Sequence, residues 1–182
     1  MKIKKLGHYL CLGIIILGVV TGCGNKPTEL PENKEEEVKG NCTVEGCMNQ
    51  IEPKMKVEEV NQIIGFEGEK KAESDTYSWQ LSKKTKIEIE YKNDLGSIKA
   101  TYDKDEINSD DFKLSIAYEI VGDIKEKTYT YEEMVEKLEG IEGHLESKSS
   151  TSKMYVWVKD GKTFRATFSD SLKGKCSIVS IR

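Results

Sequence analysis

The sequence predicts an α+β fold: two tandem helix-loop-helix plus antiparallel-sheet repeats whose strands join into one curved sheet. Three observations carry that expectation. Apolar residues at helical spacing open each half, period-two alternation follows them, and the whole pattern is written twice. Val57-Glu58-Glu59-Val60 answers to Tyr131-Glu132-Glu133-Met134, and Gly65 before Glu67-Gly68 answers to Gly140 before Glu142-Gly143. Tyr77-Ser78-Trp79 then answers to Tyr155-Val156-Trp157, and Ser97-Ile98 to Ser177-Ile178. The offset drifts from 74 to 80 residues, as small loop insertions after a duplication would give. The expected boundaries are residues 42–107 for the first repeat and 108–182 for the second.

In the first half, Thr43 is placed to cap a short helix through Ile51, with Val44, Cys47, Met48 and Ile51 on one stripe. A second helix is expected from Val57 to Ile64, ending at Gly65. Tyr77/Trp79/Leu81, Ile87/Ile89/Tyr91 and Ile98/Ala100/Tyr102 alternate with polar residues, which is the pattern of strands with one buried and one wet face. In the second half, Phe112, Ile116, Ile120 and Ile124 recur every four residues, so a helix is expected there with Asp110 or Asp111 near its start. The next helix opens with the capping box Thr130-Tyr131-Glu132-Glu133, with Tyr129 and Met134 at the staple positions. Strands follow at Tyr155 to Val158, Thr163 to Phe168 and Cys176 to Ile181, while His144, just after a glycine, reads as a loop residue. Asn93-Asp94-Leu95-Gly96 and Lys159-Asp160-Gly161-Lys162 read as hairpin turns.

Ahead of this unit, Lys2, Lys4 and Lys5 precede an apolar run from Leu10 to Val20, and Val20-Thr21-Gly22-Cys23 closes it. The segment resembles the signal peptide and lipobox of bacterial lipoproteins. That resemblance implies cleavage between Gly22 and Cys23, residues 1–22 being the signal, and a diacylglyceryl thioether on Cys23. It implies a cell-membrane location, lipid-anchored on the extracytoplasmic face. Residues 23–41 hold two of the three prolines and a Glu-Glu-Glu run without an aromatic residue, a composition that reads as a flexible tether. At ~5–6 Å × √n it reaches roughly 20–25 Å. The chain after Gly22 carries 25 basic and 32 acidic residues, a net charge of −7. So acidic a chain has no electrostatic footprint for nucleic acid, and its membrane partner is its own lipid.

The lipobox, the helix opening Val57-Glu58-Glu59-Val60-Asn61-Gln62-Ile63-Ile64-Gly65, the later Tyr-x-Trp strand and the duplication together resemble small lipoproteins of the β-lactamase-inhibitor-protein-like fold. In that fold tandem helix-loop-helix plus sheet repeats share one curved surface. The inhibitors that name it grip an enzyme with an aromatic-rich concave face. Here Ser78, Gln80, Glu88, Glu90, Lys99 and Thr101 on the expected wet face are polar or charged, so β-lactamase inhibition is not implied.

Little else in the sequence carries chemistry. Of five cysteines, Cys42, Cys47 and Cys176 remain after the signal and the lipidated Cys23, and they face an oxidising compartment. Cys42 and Cys47 fall at the two staple positions around Thr43, where a disulfide would pin the helix start; a bridge from Cys176 to either, or three free thiols, stays open. Cys-x4-Cys without a second pair is a poor zinc pattern, and no metal or other cofactor is expected. With His144 the one histidine after the signal and no serine elbow, acyl-transfer catalysis has no support beyond Cys176. The carboxylates of residues 103–111 lack the glycine and twelfth-position glutamate of a calcium loop and read as a solvated linker.

The expected function is binding: a tethered module whose wet sheet face docks an unidentified protein or envelope component. Gln80, Glu88, Glu90, Lys99, Arg165 and Thr167 are its expected surface, with Arg165, Val156 and Val158 as outward anchors. The alternatives are a cell-envelope enzyme using Cys176 or the 103–111 carboxylates, and an inhibitor of an extracytoplasmic enzyme. The lipobox generates a direct prediction. Replacing Cys23 by Ala should abolish lipid labelling and shift the protein from the membrane to the soluble fraction on fractionation.

Overall fold

The computed structural model describes residues 39–124 and 128–182; the signal segment, Gly22, Cys23 and the tether up to residue 38 lie outside them. Its elements run α1 (Val44–Gln50), α2 (Val57–Ile64), β1 (Glu69–Lys70), β2 (Thr76–Gln80), β3 (Lys86–Lys92), β4 (Leu95–Thr101), α3 (Leu114–Asp123), α4 (Tyr131–Lys137), β5 (His144–Lys148), β6 (Ser152–Lys159), β7 (Lys162–Ser169) and β8 (Lys175–Ile181), with a 3-10 turn at Asp170–Leu172. The eight strands form one open antiparallel sheet in sequential order. Helices and strands thus make an α+β architecture in which each helix pair is followed by four strands.

Local chemistry accounts for the helix limits. Thr43 caps α1 by accepting the Gly46 N–H at 3.2 Å. Cys42 and Cys47 are disulfide-bonded across that cap, with Cα atoms 5.5 Å apart, so a covalent link occupies the place of a hydrophobic staple. At α2 the Lys56 N–H donates to the Glu59 carboxylate at 2.8 Å, half of a capping box, and the Gly65 N–H closes the helix on Asn61 O at 2.7 Å. Thr130 forms the complete box with Glu133 at α4. Neither Asp110 nor Asp111 starts α3: it begins at Leu114 behind Lys113, and Phe112 packs into the core from the loop before it.

Cross-strand register puts Tyr77, Ile89, Ile98, Lys148, Lys153, Phe168 and Cys176 in one row across seven strands, on the face that the helices cover. The core lies there in two clusters. Trp79, Ile87, Ile89 and Ile98 pack with Met48, Ile51, Val60 and Ile64, while Trp157, Phe164, Ala166 and Phe168 pack with Phe112, Ala117, Ile120 and Met134. Each tryptophan buries on the order of 200 Å², about 5 kcal/mol of transfer free energy before entropy is counted. Leu145 belongs to the first cluster although it lies in β5, and Tyr155 touches both.

Two departures from expectation bear on the site. His144 is not in a loop; it begins β5, a strand that the alternation did not announce because a bulge at Glu146 breaks its period. The body also starts earlier than residue 42. The Lys39 N–H donates to Leu81 O and the Asn41 N–H to Ile64 O, each at 2.8 Å, so residues 39–41 are docked rather than part of a spacer.

Gly68 and Gly143 each lie against a tryptophan. A Cβ at Gly68 would sit 2.3 Å from the Trp79 ring, and one at Gly143 2.6 Å from the Trp157 ring. Gly68→Ala and Gly143→Ala should therefore each destabilise by about 1–3 kcal/mol, as overpacked cores do. Gly122→Ala, in α3 with nothing within 4 Å of its added methyl, should stabilise by about 0.5–1 kcal/mol. Urea unfolding of the three variants reads this sign change directly.

Candidate functional site

Among the described residues no helix packs on the sheet face opposite α1 to α4, here called the bare face. Its central register row runs Ser78, Glu88, Lys99, Ser147, Met154, Thr167 and Ile178 across β2 to β8. Gln80, Glu90 and Lys99 are exposed, Glu88 and Thr167 half-buried, as a wet sheet face requires. Ile178 is 64% exposed, the most exposed large hydrophobic side chain among the described residues. Glu88 is paired with Lys71 and, at 3.2 Å, with Lys86; hydrogen bonds first from Lys71 and then from Lys86 hold its carboxyl below the usual range. Gln80 Nε2 turns back to the Thr85 carbonyl at 3.1 Å, so it is committed to its own loop.

The expected outward anchors need correction. Val156 and Val158 point to this face but are 2% and 1% exposed. Arg165 explains the first. Its Nε and Nη2 donate to the two oxygens of Glu146 at 2.7 and 2.8 Å, and its Nη1 to Thr163 Oγ1 at 2.7 Å. Because His144, Val156 and Arg165 lie in one register row, this fork crosses β6 from β7 to β5 and covers Val156. Val158 lies where the 103–111 segment runs beside β6: Asn108 forms a parallel bridge to it and the Ser109 N–H donates to its carbonyl at 3.0 Å. Arg165 is thus a partly buried structural cation, bidentate on a carboxylate and with its guanidinium pKa raised chiefly by the Glu146 hydrogen bond.

Met154 and Ile178 are the apolar residues of that central row; alternation carried back from Val156 places Met154 outward, but it misses Ile178. At β8 the partners step from Phe168↔Cys176 to Thr167↔Ile178, leaving Ser177 as an extra residue. Cys176 therefore faces the helices and Ile178, two residues on, faces out. Strict alternation would have buried both or exposed both.

Where the halves of the sheet meet, β4 and β5 share only the pairs Ile98↔Lys148 and Lys99↔Ser147. Side chains reinforce this join. Tyr102 donates its hydroxyl to Leu145 O at 2.9 Å, and His144 lies between the Tyr102 ring, 5.6 Å away, and Glu45 of α1, 3.5 Å from its Nδ1. Lys148, whose side chain is 4% exposed, points under α1 and meets Glu52 at 3.4 Å. Burial lowers its pKa and Glu52 only partly offsets that.

The remaining sequence candidates are not brought together. Cys176 is buried, donates to Ile178 O at 3.4 Å, and has its thiol pushed up by burial, the opposite of an activated nucleophile. Asp103 is held below the usual carboxylate range by Lys84 at 2.8 Å, and Asp110 pairs with Lys159 at 3.0 Å, so these carboxylates tie a linker to strand ends. Among the described residues no group of three His, Cys, Asp or Glu side chains could hold a metal ion, and no helix is long and apolar enough to cross a membrane. Comparison with protein-family models, with curated proteins and with solved structures found no match.

Lys148 generates a pH prediction. Its folded-state pKa lies below the ordinary 10.5, so the cost of its buried ammonium is present in full at pH 7 and is relieved as pH rises through the lowered value towards 10.5. Lys148→Met should be as stable as the parent or more so at pH 7, by up to about 2 kcal/mol. Its advantage should shrink as the pH approaches 10.5, whereas Glu52→Gln should destabilise at pH 7. Denaturant unfolding over a pH series measures all three.

Proposed function

We propose that the protein is a lipid-anchored extracytoplasmic binding protein that catalyses no reaction and acts through the bare face of its sheet. The observation that carries this reading is the continuous row from Ser78 to Ile178, a seven-strand surface on which no helix packs among the described residues and which ends on an exposed isoleucine. Polar residues around a few apolar anchors are what a docking surface offers. Glu90 and Lys99 keep their place in that surface; Met154 and Ile178 take the anchoring role from Val156, Val158 and Arg165. The Val20-Thr21-Gly22-Cys23 pattern supports a lipid on Cys23 and residence at the cell membrane.

The same reading includes descent by duplication. In its favour are the helix-helix-strand order of both halves, the two glycines under the two tryptophans, and the two-residue turns Asn93-Asp94 and Asp160-Gly161, all four residues at positive φ. Ile98 and Ile178 break the correspondence, since the first is buried and the second exposed.

Full-length protein should capture its partner from envelope extracts. Ile178→Glu combined with Lys99→Glu should weaken that capture about tenfold or more while shifting stability by about 0.5 kcal/mol or less, as exposed substitutions do. Capture indifferent to both changes would remove the sheet face from the proposal. Turnover of an envelope substrate that vanishes in Cys176→Ser would replace it with the enzyme reading, and blockade of an extracytoplasmic enzyme by the captured complex would make the protein an inhibitor.

A further inference from the structure

Away from the bare face, a cleft of about 780 Å³ opens between the start of α2 and the sheet. It lies at the far end of β2 from Leu81, where Lys39 joins the body, so it is presented away from the point at which the chain arrives. Tyr77 and Tyr91, packed edge to face at 6.0 Å, form its floor with Met55. The hydroxyl of Tyr91 is buried and has no hydrogen-bond partner among the described residues. Burial, and next the Glu58 carboxylate, push its pKa up to about 12, which keeps it a neutral donor.

The two walls carry opposite charge. On the α2 side stand Lys54 and Lys56, against the single carboxylate Glu58; on the strand side stand Asp75 and Asp94, beside Asn93. The Gly96 N–H, bonded to Pro53 O at 2.5 Å, holds the lysine-bearing turn against the first residues of β4, so the separation is built into the fold. Yet among the described residues no ion pair crosses the cleft, and neither Lys54 nor Lys56 has a carboxylate within salt-bridge distance; Asp75 pairs with Lys70 at 3.4 Å, whose ammonium stands 5.7 Å from the centre of the Tyr77 ring, so a ligand ammonium would take the place of Lys70 there. The volume falls within the range of small-molecule sites, and opposed charges over an apolar floor match a molecule that carries an anion, a cation and an apolar side chain.

We propose that this cleft binds a zwitterionic ligand, a free amino acid or short peptide with an apolar side chain. Its carboxylate meets Lys54 and Lys56, its ammonium meets Asp75 and Asp94, and its side chain lies on Tyr77, Tyr91 and Met55. The site is independent of the sheet face, so it stands or falls separately from partner capture there.

Calorimetric titration of the full chain in detergent micelles with alanyl-phenylalanine tests this. A saturable Kd between about 10 μM and about 1 mM is expected for an open, small site. Blocking the dipeptide as its C-terminal amide, or as its N-acetyl form, should weaken binding about tenfold in each case. Lys54→Gln with Lys56→Gln should weaken the parent dipeptide and leave the amide unaffected; Asp94→Asn should weaken the parent and leave the N-acetyl form unaffected. All three positions are exposed, so the melting transition should not move. Absence of saturable binding up to about 10 mM, or equal binding of free and blocked dipeptides, would overturn the proposal.

Discussion

Two residue pairs, Ile98↔Lys148 and Lys99↔Ser147, turn two four-stranded meanders into one sheet. So short a ladder contributes few backbone hydrogen bonds, and its persistence depends on what is packed around it. Leu145 enters the first core from β5, Tyr155 spans both cores, the Tyr102 hydroxyl bonds to the Leu145 carbonyl, and Glu45 of α1 and Glu52 just after it meet His144 and Lys148 of β5. If the join slipped by one residue, every side chain of β5 would change face and the continuous outer row would be lost.

The join also places a lysine where an apolar residue would pack at lower cost. Lys148 is in register with Ile98 and sits on the helix-covered face, yet among the described residues its ammonium has only the half-exposed Glu52 as partner. An ammonium there raises the cost of any alternative register that would leave it without Glu52. Specificity of strand pairing is one use of such a buried charge, and here it would act at the place where pairing is weakest.

Around that seam the two faces of the sheet divide their tasks. The covered face holds both tryptophans and the aromatic cluster of Tyr131, Tyr155 and Phe168, with Tyr131 and Tyr155 stacked at 4.1 Å. On the bare face the Arg165–Glu146 fork ties β7 to β5 without help from the helices and shields Val156. The charges there form two groups: those satisfied inside the sheet, such as Glu88 and Arg165, and those left to solvent, such as Glu90 and Lys99. The second group and Ile178 are what a partner would meet.

Much of this was legible in the chain by itself. Periodicity, capping residues and two-residue turns are local, and they located α1, α2 and α4 together with the strands around Trp79, Ile89, Ile98, Trp157 and Phe164, because hydrogen bonding and burial of one face act over a few residues. Cys42 and Cys47 stand at staple positions for the same local reason. The tertiary structure decided what depends on partners far along the chain. Bulges at Glu146 and Ser177 shift register by one residue, which brings His144 into a strand, turns Ile178 outward and sends Cys176 inward; a period of two has no means of signalling where it breaks. Arg165, Val156 and Val158 alternate as exposed residues would, but a carboxylate two strands away draws Arg165 across Val156, and the linker between the halves runs beside Val158. Which face a residue points to is a local property. Whether that face is open to solvent is set by long-range packing.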